Sequence, residues 1–286
     1  MNRRSKASFF AAVLALSGAV AARASEVLAV LSSDSGHYHQ AYEGFQEAWG
    51  SSVPYVLLGD VIRSGRRDAV VAFGSRAVLS GAPPSPLLVT CLALGARPKR
   101  SGETLRVELL PSAPVLAASL KKLLPRLKTL LVLWSSDYES DDVAALAAAA
   151  KEQGFAVRSE RVEDPTDLPA RVRAFSGAAD ALWLMPDPAL VNVQNFKTLR
   201  EYAAAARVPF LAPTEGLAEK GATATLSVSF RDIGRAAATA LKARLRGDAP
   251  GGPVHSDRIV VTVNVAAARE VGMDLAAASG VDRTVP

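Results

Sequence analysis

The residues best suited to chemistry stand just after apolar runs. Ser32, Ser33 and Asp34 follow Val27–Leu31, and Gly74, Ser75 and Arg76 follow Ala69–Phe73. Ser135 to Ser140 follow Thr129–Trp134, Asp187 follows Ala181–Met185, and Thr214 and Glu215 follow Pro209–Leu211. Small hydroxyls and carboxylates grouped in this way, with Tyr38, Trp134 and Tyr138 close in sequence, suit hydrogen bonding to a small polar molecule. Asp187 has two readings. A carboxylate in a cleft can hold an ammonium through a charge-assisted hydrogen bond. Aspartate before Pro188 also suits a helix N-cap with proline at the first helical position. Thr214 and Glu215 carry the same pair of readings, and Ser140 suits an N-cap that also reaches a ligand. Arg76 either binds a carboxylate or faces solvent.

Catalytic signatures are absent. The chain has no G-x-S-x-G, no H-E-x-x-H, no phosphate-binding G-x-x-x-x-G-K-[ST] and no G-x-G-x-x-G. It holds three histidines, and the one close pair, His37 and His39, is spaced to point to different sides of a helix. Neither a metal centre nor a cofactor is expected. Cys91, the only cysteine, lies in "PLLVTCLAL" and reads as a buried small hydrophobe rather than a reactive thiol.

The elements behind these residues alternate between strand and helix. Apolar runs at Val27–Leu31, Val53–Leu58, Ala69–Phe73, Leu87–Leu92, Thr129–Trp134, Ala156–Val162, Ala181–Met185, Pro209–Leu211, Ala222–Val228 and Ile259–Val263 read as strands. Between them lie helical patterns. Tyr38, Tyr42, Phe45 and Trp49 fall on one face of the first, and a later helix starts near Ser140, carries Asp141 and Asp142 in its first turn and stops at Gly154. Such alternation predicts an α/β protein with parallel sheets covered on both faces. Ten strands over 286 residues, with 49% hydrophobic side chains, suit two lobes better than one. The first crossing between lobes is placed in "RVELLPSAP", where Pro111 and Pro114 bracket a turn, and "LKARLRGDAPGGP" marks a second break.

Residues 1–24 read as a signal peptide. Arg3, Arg4 and Lys6 precede a largely apolar run, and Ala22-Arg23-Ala24 has the pattern of a cleavage site. Four of the 33 basic residues and none of the 28 acidic ones lie there, leaving a net charge of +1 for the remainder. The overall basic balance is therefore no argument for a nucleic-acid partner.

The segments "ADALWLMPDPALV", "REYAAAARVPFLAPTEGLAEKGATATLSVSFRDIGRAAATALKARLRGDAP" and "VTVNVAAAREVGMDL" together resemble the extracytoplasmic substrate-binding proteins of ABC importers, in the branch that includes binders of aromatic and other amino acids. The resemblance covers about the last two thirds of the chain and extends faintly to "YEGFQEAW". It implies a type I periplasmic-binding-protein architecture: two Rossmann-like lobes, three crossovers, and a solute trapped as the lobes close. The implied division is 25–111 with 230–256 for the first lobe, and 112–229 with 257–286 for the second. Partners would be a small solute and a membrane permease, and the protein would be a monomer. Ligand positions carried over are Asp187, Thr214, Glu215 and Ser140 in the second lobe and Ser75 in the first; Tyr138, Ser33 and Asp34 join the candidates from the strand-end reading alone. Relatives often show Asp-Pro where this chain has "TCLALGARP", a departure that bears on the class of solute. A ligand sensor of the same fold, with no part in transport, is the alternative.

Overall fold

The computed structural model describes residues 25–61, 65–99, 102–248 and 252–286; the leader expected over 1–24 lies outside them. The chain opens with β1 (Val27–Leu31), α1 (Gly36–Trp49), β2 (Tyr55–Leu57), β3 (Ala69–Phe73), β4 (Leu87–Cys91) and β5 (Glu103–Pro111). It continues with α2 (Ala113–Leu123), β6 (Thr129–Trp134), α3 (Ser140–Glu152), β7 (Ala156–Arg161), α4 (Leu168–Ala174), β8 (Ala181–Leu184), α5 (Val193–Ala206), β9 (Phe210–Ala212), α6 (Gly216–Glu219) and β10 (Ala224–Ser227). The last elements are α7 (Phe230–Leu245), β11 (Val254–Ser256), β12 (Val260–Asn264), α8 (Val265–Glu270) and β13 (Arg283–Val285).

Two sheets result. The first has the order β11-β5-β4-β3-β1-β2 and the second β13-β12-β10-β9-β8-β6-β7. Every residue of β1, β3 and β4 is buried, as are those of β8, β9 and β10. Parallel strands covered by helices on both faces have no solvent side, which is why they read as unbroken apolar runs rather than alternating ones. Each sheet accordingly has two apolar clusters. Phe45, Phe73 and Leu241 mark one face of the first sheet and Val30, Ala72 and Leu88 the other. Trp183, Leu120 and Leu130 mark one face of the second, opposite Leu184, Leu199 and Phe210.

The predicted face of α1 is the packed one: Tyr42 and Phe45 are buried, with Tyr38 and Trp49 partly so. This helix crosses α7 at backbone contact. A Cβ on Gly44 would collide with the Arg231 carbonyl oxygen, and one on Gly234 with that of Ala41.

The chain passes between the sheets three times, after β5, after β10 and after β11. One pairing departs from the expected parallel pattern: β12 runs antiparallel to β10. The reason is topological. Since β11 lies parallel to β5, it ends at the sheet's carboxyl edge, and with only three residues between it and β12 the chain must start β12 from that same edge. Three short or charged strands, β5, β11 and β13, had no counterpart in the apolar runs. Among the described residues, no helix is long and apolar enough to cross a membrane.

Candidate functional site

Ligands of open α/β sheets bind outside the carboxyl ends of the strands. Here the carboxyl-end loops of the two sheets approach one another. A Cβ built on Gly95, in the loop after β4, would lie 3.8 Å from Pro188 Cγ in the loop after β8.

In the second lobe these loops are braced by Asp187, which is 1% exposed. Its Oδ2 accepts from the Ser135 backbone N–H at 2.7 Å, the Ser135 hydroxyl at 2.5 Å and the Ser136 N–H at 3.3 Å. Its Oδ1 accepts from the Ala189 N–H at 2.8 Å. Four donors from the chain itself thus occupy the carboxylate, and they tie the loop after β6 to the loop after β8. The N-cap reading also needs correction: α5 begins at Val193 and is capped by the Asn192 side chain, which accepts from the Asn195 N–H at 2.9 Å. Asp187 caps only the short turn before that helix, through Ala189.

Ser140 is the first residue of α3 rather than its N-cap, and its hydroxyl donates to the Asp137 carbonyl at 2.8 Å. Beside it, Glu139 is 2% exposed and accepts from the Ser136 hydroxyl at 2.5 Å. Burial raises the Glu139 pKa, and the nearby Asp187 charge adds to the rise. Thr214 and Glu215 are half-buried at the end of β9, and Glu215 pairs with Arg283. Their capping is by backbone: the Thr214 carbonyl accepts from the Leu217 N–H at 3.0 Å.

The first-lobe candidates are more open. Ser33 and Asp34 are exposed, and Asp34 bonds His39 Nε2 at 2.5 Å. The Ser75 hydroxyl donates to the Leu94 carbonyl at 3.3 Å, and Arg76 is exposed. Ser32 is buried, its Oγ accepting from the Ala77 N–H at 2.9 Å. Gly74, between them, has φ +94°, and a Cβ there would lie 2.5 Å from both Ser32 Oγ and the Tyr38 hydroxyl. Among the described residues, no group of three or more His, Cys, Asp or Glu side chains is placed to hold a metal ion. Cys91 is fully buried, and burial pushes its thiol pKa up.

Tyr138 leads to residues that sequence reasoning missed. Its hydroxyl donates to Glu108 Oε2 at 3.1 Å, joining the loop after β6 in one lobe to β5 in the other. Glu108 is 4% exposed and ion-paired with Arg106, whose guanidinium carbon lies 4.5 Å from the Tyr138 ring centroid. Alongside, His255 of β11 faces Asp142 of α3 at 3.6 Å. Burial raises the pKa of Glu108, of Tyr138 and of Asp142, against the pull of Arg106 on both acids. The available signal was the alternation in "LRVEL", where Leu105 and Val107 face the core and Arg106 and Glu108 the other side.

Residues 117–278, more than half of the chain, match the family described as ABC transporter substrate binding protein. The chain belongs to that family. Solved relatives agree on the fold. A domain from Streptococcus pneumonia in complex with L-Trp shares 18% identity at a TM-score of 0.58, covering 91% of this chain and 99% of its own. A ligand-free, open substrate binding protein with adhesive properties from Clostridium difficile shares 17% at 0.60, covering 91% and 98%. A conserved domain protein from Vibrio cholerae shares 15% at 0.58, covering 91% and 99%. No curated protein sequence matches the chain. The two-lobe binding fold is therefore that of a substrate-binding protein, a class that works by binding rather than by catalysis.

Proposed function

We propose that the protein is the periplasmic solute-binding component of an ABC-type importer, and that it captures a small polar solute of the amino-acid class between its sheets and delivers it to a membrane permease. The observation that carries this reading is the facing of the two carboxyl edges, brought together at Gly95 and Pro188. In this reading the solute meets polar side chains from the loops that end the strands, Ser33, Asp34 and Ser75 in the first lobe and Ser140, Thr214 and Glu215 in the second. Family membership supports a location outside the cytoplasm, and the relative in complex with L-Trp supports the amino-acid class.

The mechanism is a population shift. A solute that touches both lobes only when they are together stabilises that arrangement by its differential affinity. Asp187 serves indirectly in this reading, by fixing the two second-lobe loops that present Ser140 and the Ser135–Ser136 backbone.

The test is thermal unfolding of the purified, ligand-stripped protein against amino acids and other small polar solutes, after native mass spectrometry of the unstripped protein. A cognate solute at about 100 times its dissociation constant stabilises by roughly 2.7 kcal/mol. One co-purified, stabilising amino acid is the expected result. Stabilisation by no member of the panel would overturn the reading.

A further inference from the structure

The polar group at the hinge side of the cleft is built across the lobes. Arg106, Glu108 and His255 come from β5 and β11 of the first sheet, while Tyr138 and Asp142 come from the second lobe. It stands beside two of the three crossovers. There the Ser112 hydroxyl donates to Asp257 Oδ1 at 2.9 Å and the Ser112 N–H to the Ser256 carbonyl at 3.2 Å, binding the two crossing segments together. His255 Nδ1 contacts the Leu110 carbonyl at 3.3 Å, which fixes the imidazole relative to β5.

We infer that Glu108 and Tyr138 are positioning residues for lobe closure: their hydrogen bond is a clasp that exists only while the lobes are together, and it populates the closed arrangement before any solute arrives. The physical argument rests on burial. Glu108 is a nearly inaccessible carboxylate, and the groups that face it are Arg106, Tyr138, Asp142 and His255. Arg106 belongs to the same strand and stays with Glu108 whatever the lobes do. Tyr138 does not: rotation about the crossovers withdraws its hydroxyl and admits water to the carboxylate. The Arg106 guanidinium lying over the Tyr138 ring adds a second contact that opening would break. Asp142 and His255 repeat the arrangement one step nearer the crossovers.

A hydrogen bond to a charged group, formed in one state and lost in the other, shifts a two-state ratio by roughly tenfold to a hundredfold. A clasp of that size decides how much of the closing free energy the solute must supply, and so sets affinity without touching solute. The inference rests on the reading of binding by lobe closure, yet its test needs no solute.

The test is the distance between spin labels at Gln40→Cys on α1 and Lys197→Cys on α5, both exposed, in the ligand-stripped full chain; Cys91 is fully buried and escapes labelling. The parent is expected to show a short-distance population. Tyr138→Phe, which keeps the ring and its stacking, should raise the ratio of long to short distances about tenfold. Glu108→Gln keeps an acceptor for Tyr138 and gives a smaller shift, and it reads the same quantity should Tyr138→Phe fail to fold. Unchanged distributions in folded variants, or a parent with long distances alone, overturn the clasp. Either result leaves the solute panel free to support or reject the proposed function by itself.

Discussion

The cleft-edge loops of the two lobes use the same small hydroxyls and carboxylates, but the second lobe locks Asp187 and Glu139 into its loops while the first leaves Asp34 at the surface. Asp187 and Glu139 are 1% and 2% exposed, and their hydrogen bonds run to Ser135, Ser136 and Ala189. Asn264, also buried, accepts from the Ala267 N–H at 2.7 Å and donates to the Ala218 carbonyl at 2.9 Å. Asp34 and Arg76 of the first lobe are exposed side chains. Asp187 and Glu139 are thus structural parts of their loops, whereas Asp34 lies at the surface with His39 as its partner. The family match, over 117–278, runs from within α2 to beyond α8, takes in α7 and β11 on the way, and leaves β1 to β5 outside.

The strongest way to break this contrast is Asp187→Ala. It leaves three backbone N–H groups and a hydroxyl without their acceptor in a buried place, at about 1 kcal/mol or more each, so a loss of about 4 kcal/mol is expected from urea unfolding. A loss under about 1 kcal/mol would mean that the brace does not hold the loops.

Gly74→Ala tests whether the first lobe has any rigid point at all. The left-handed backbone and the crowding by Ser32 and Tyr38 both oppose a side chain, and an expected loss of about 2–3 kcal/mol would locate rigidity there. A neutral result would show that even this turn adapts.

The pH dependence sharpens the comparison further. Burial raises the pKa values of Glu139, Asp142 and Glu108. The folded chain therefore keeps protons that the unfolded chain releases. Stability falls as pH rises from the ordinary carboxyl range through those raised values, and levels off above them. Exposed Glu103, held down by its hydrogen bond to Arg244, and Asp164, held down by Thr166, oppose the trend and lose their contribution as pH falls. Glu139→Gln should flatten the decline in stability as pH rises above the ordinary carboxyl range. An unchanged slope would remove Glu139 from the set of buried acids.

The legible parts of the molecule follow the same physics. All ten apolar runs overlap strands, and the central ones, such as β1, β3, β4, β8, β9 and β10, read as unbroken because their residues are buried on both faces; the loops that end them were visible as clusters of hydroxyls. The strands β5, β11 and β13 were not, since Glu103, Arg106 and Glu108 interrupt one and the other two have three residues each. What each carboxylate does was hidden for a different reason. Asp187 meets Ser135 from 52 positions away, and Tyr138 meets Glu108 from 30, so only the topology brings the partners together.

The smallest expected effect is Asp34→Ala, and it completes the contrast with Asp187. Asp34 has a side chain that is 74% exposed, and it pairs with His39, five residues on in the same loop and helix. Surface pairs of this kind contribute little, so the unfolding free energy should stay within about 0.5 kcal/mol of the parent. In the proposed function the same side chain faces incoming solute, and affinity for the stabilising amino acid should fall while stability does not. A chain that loses stability on Asp34→Ala would have a first lobe braced like the second, and the division between a prebuilt wall and an adaptable one would not hold.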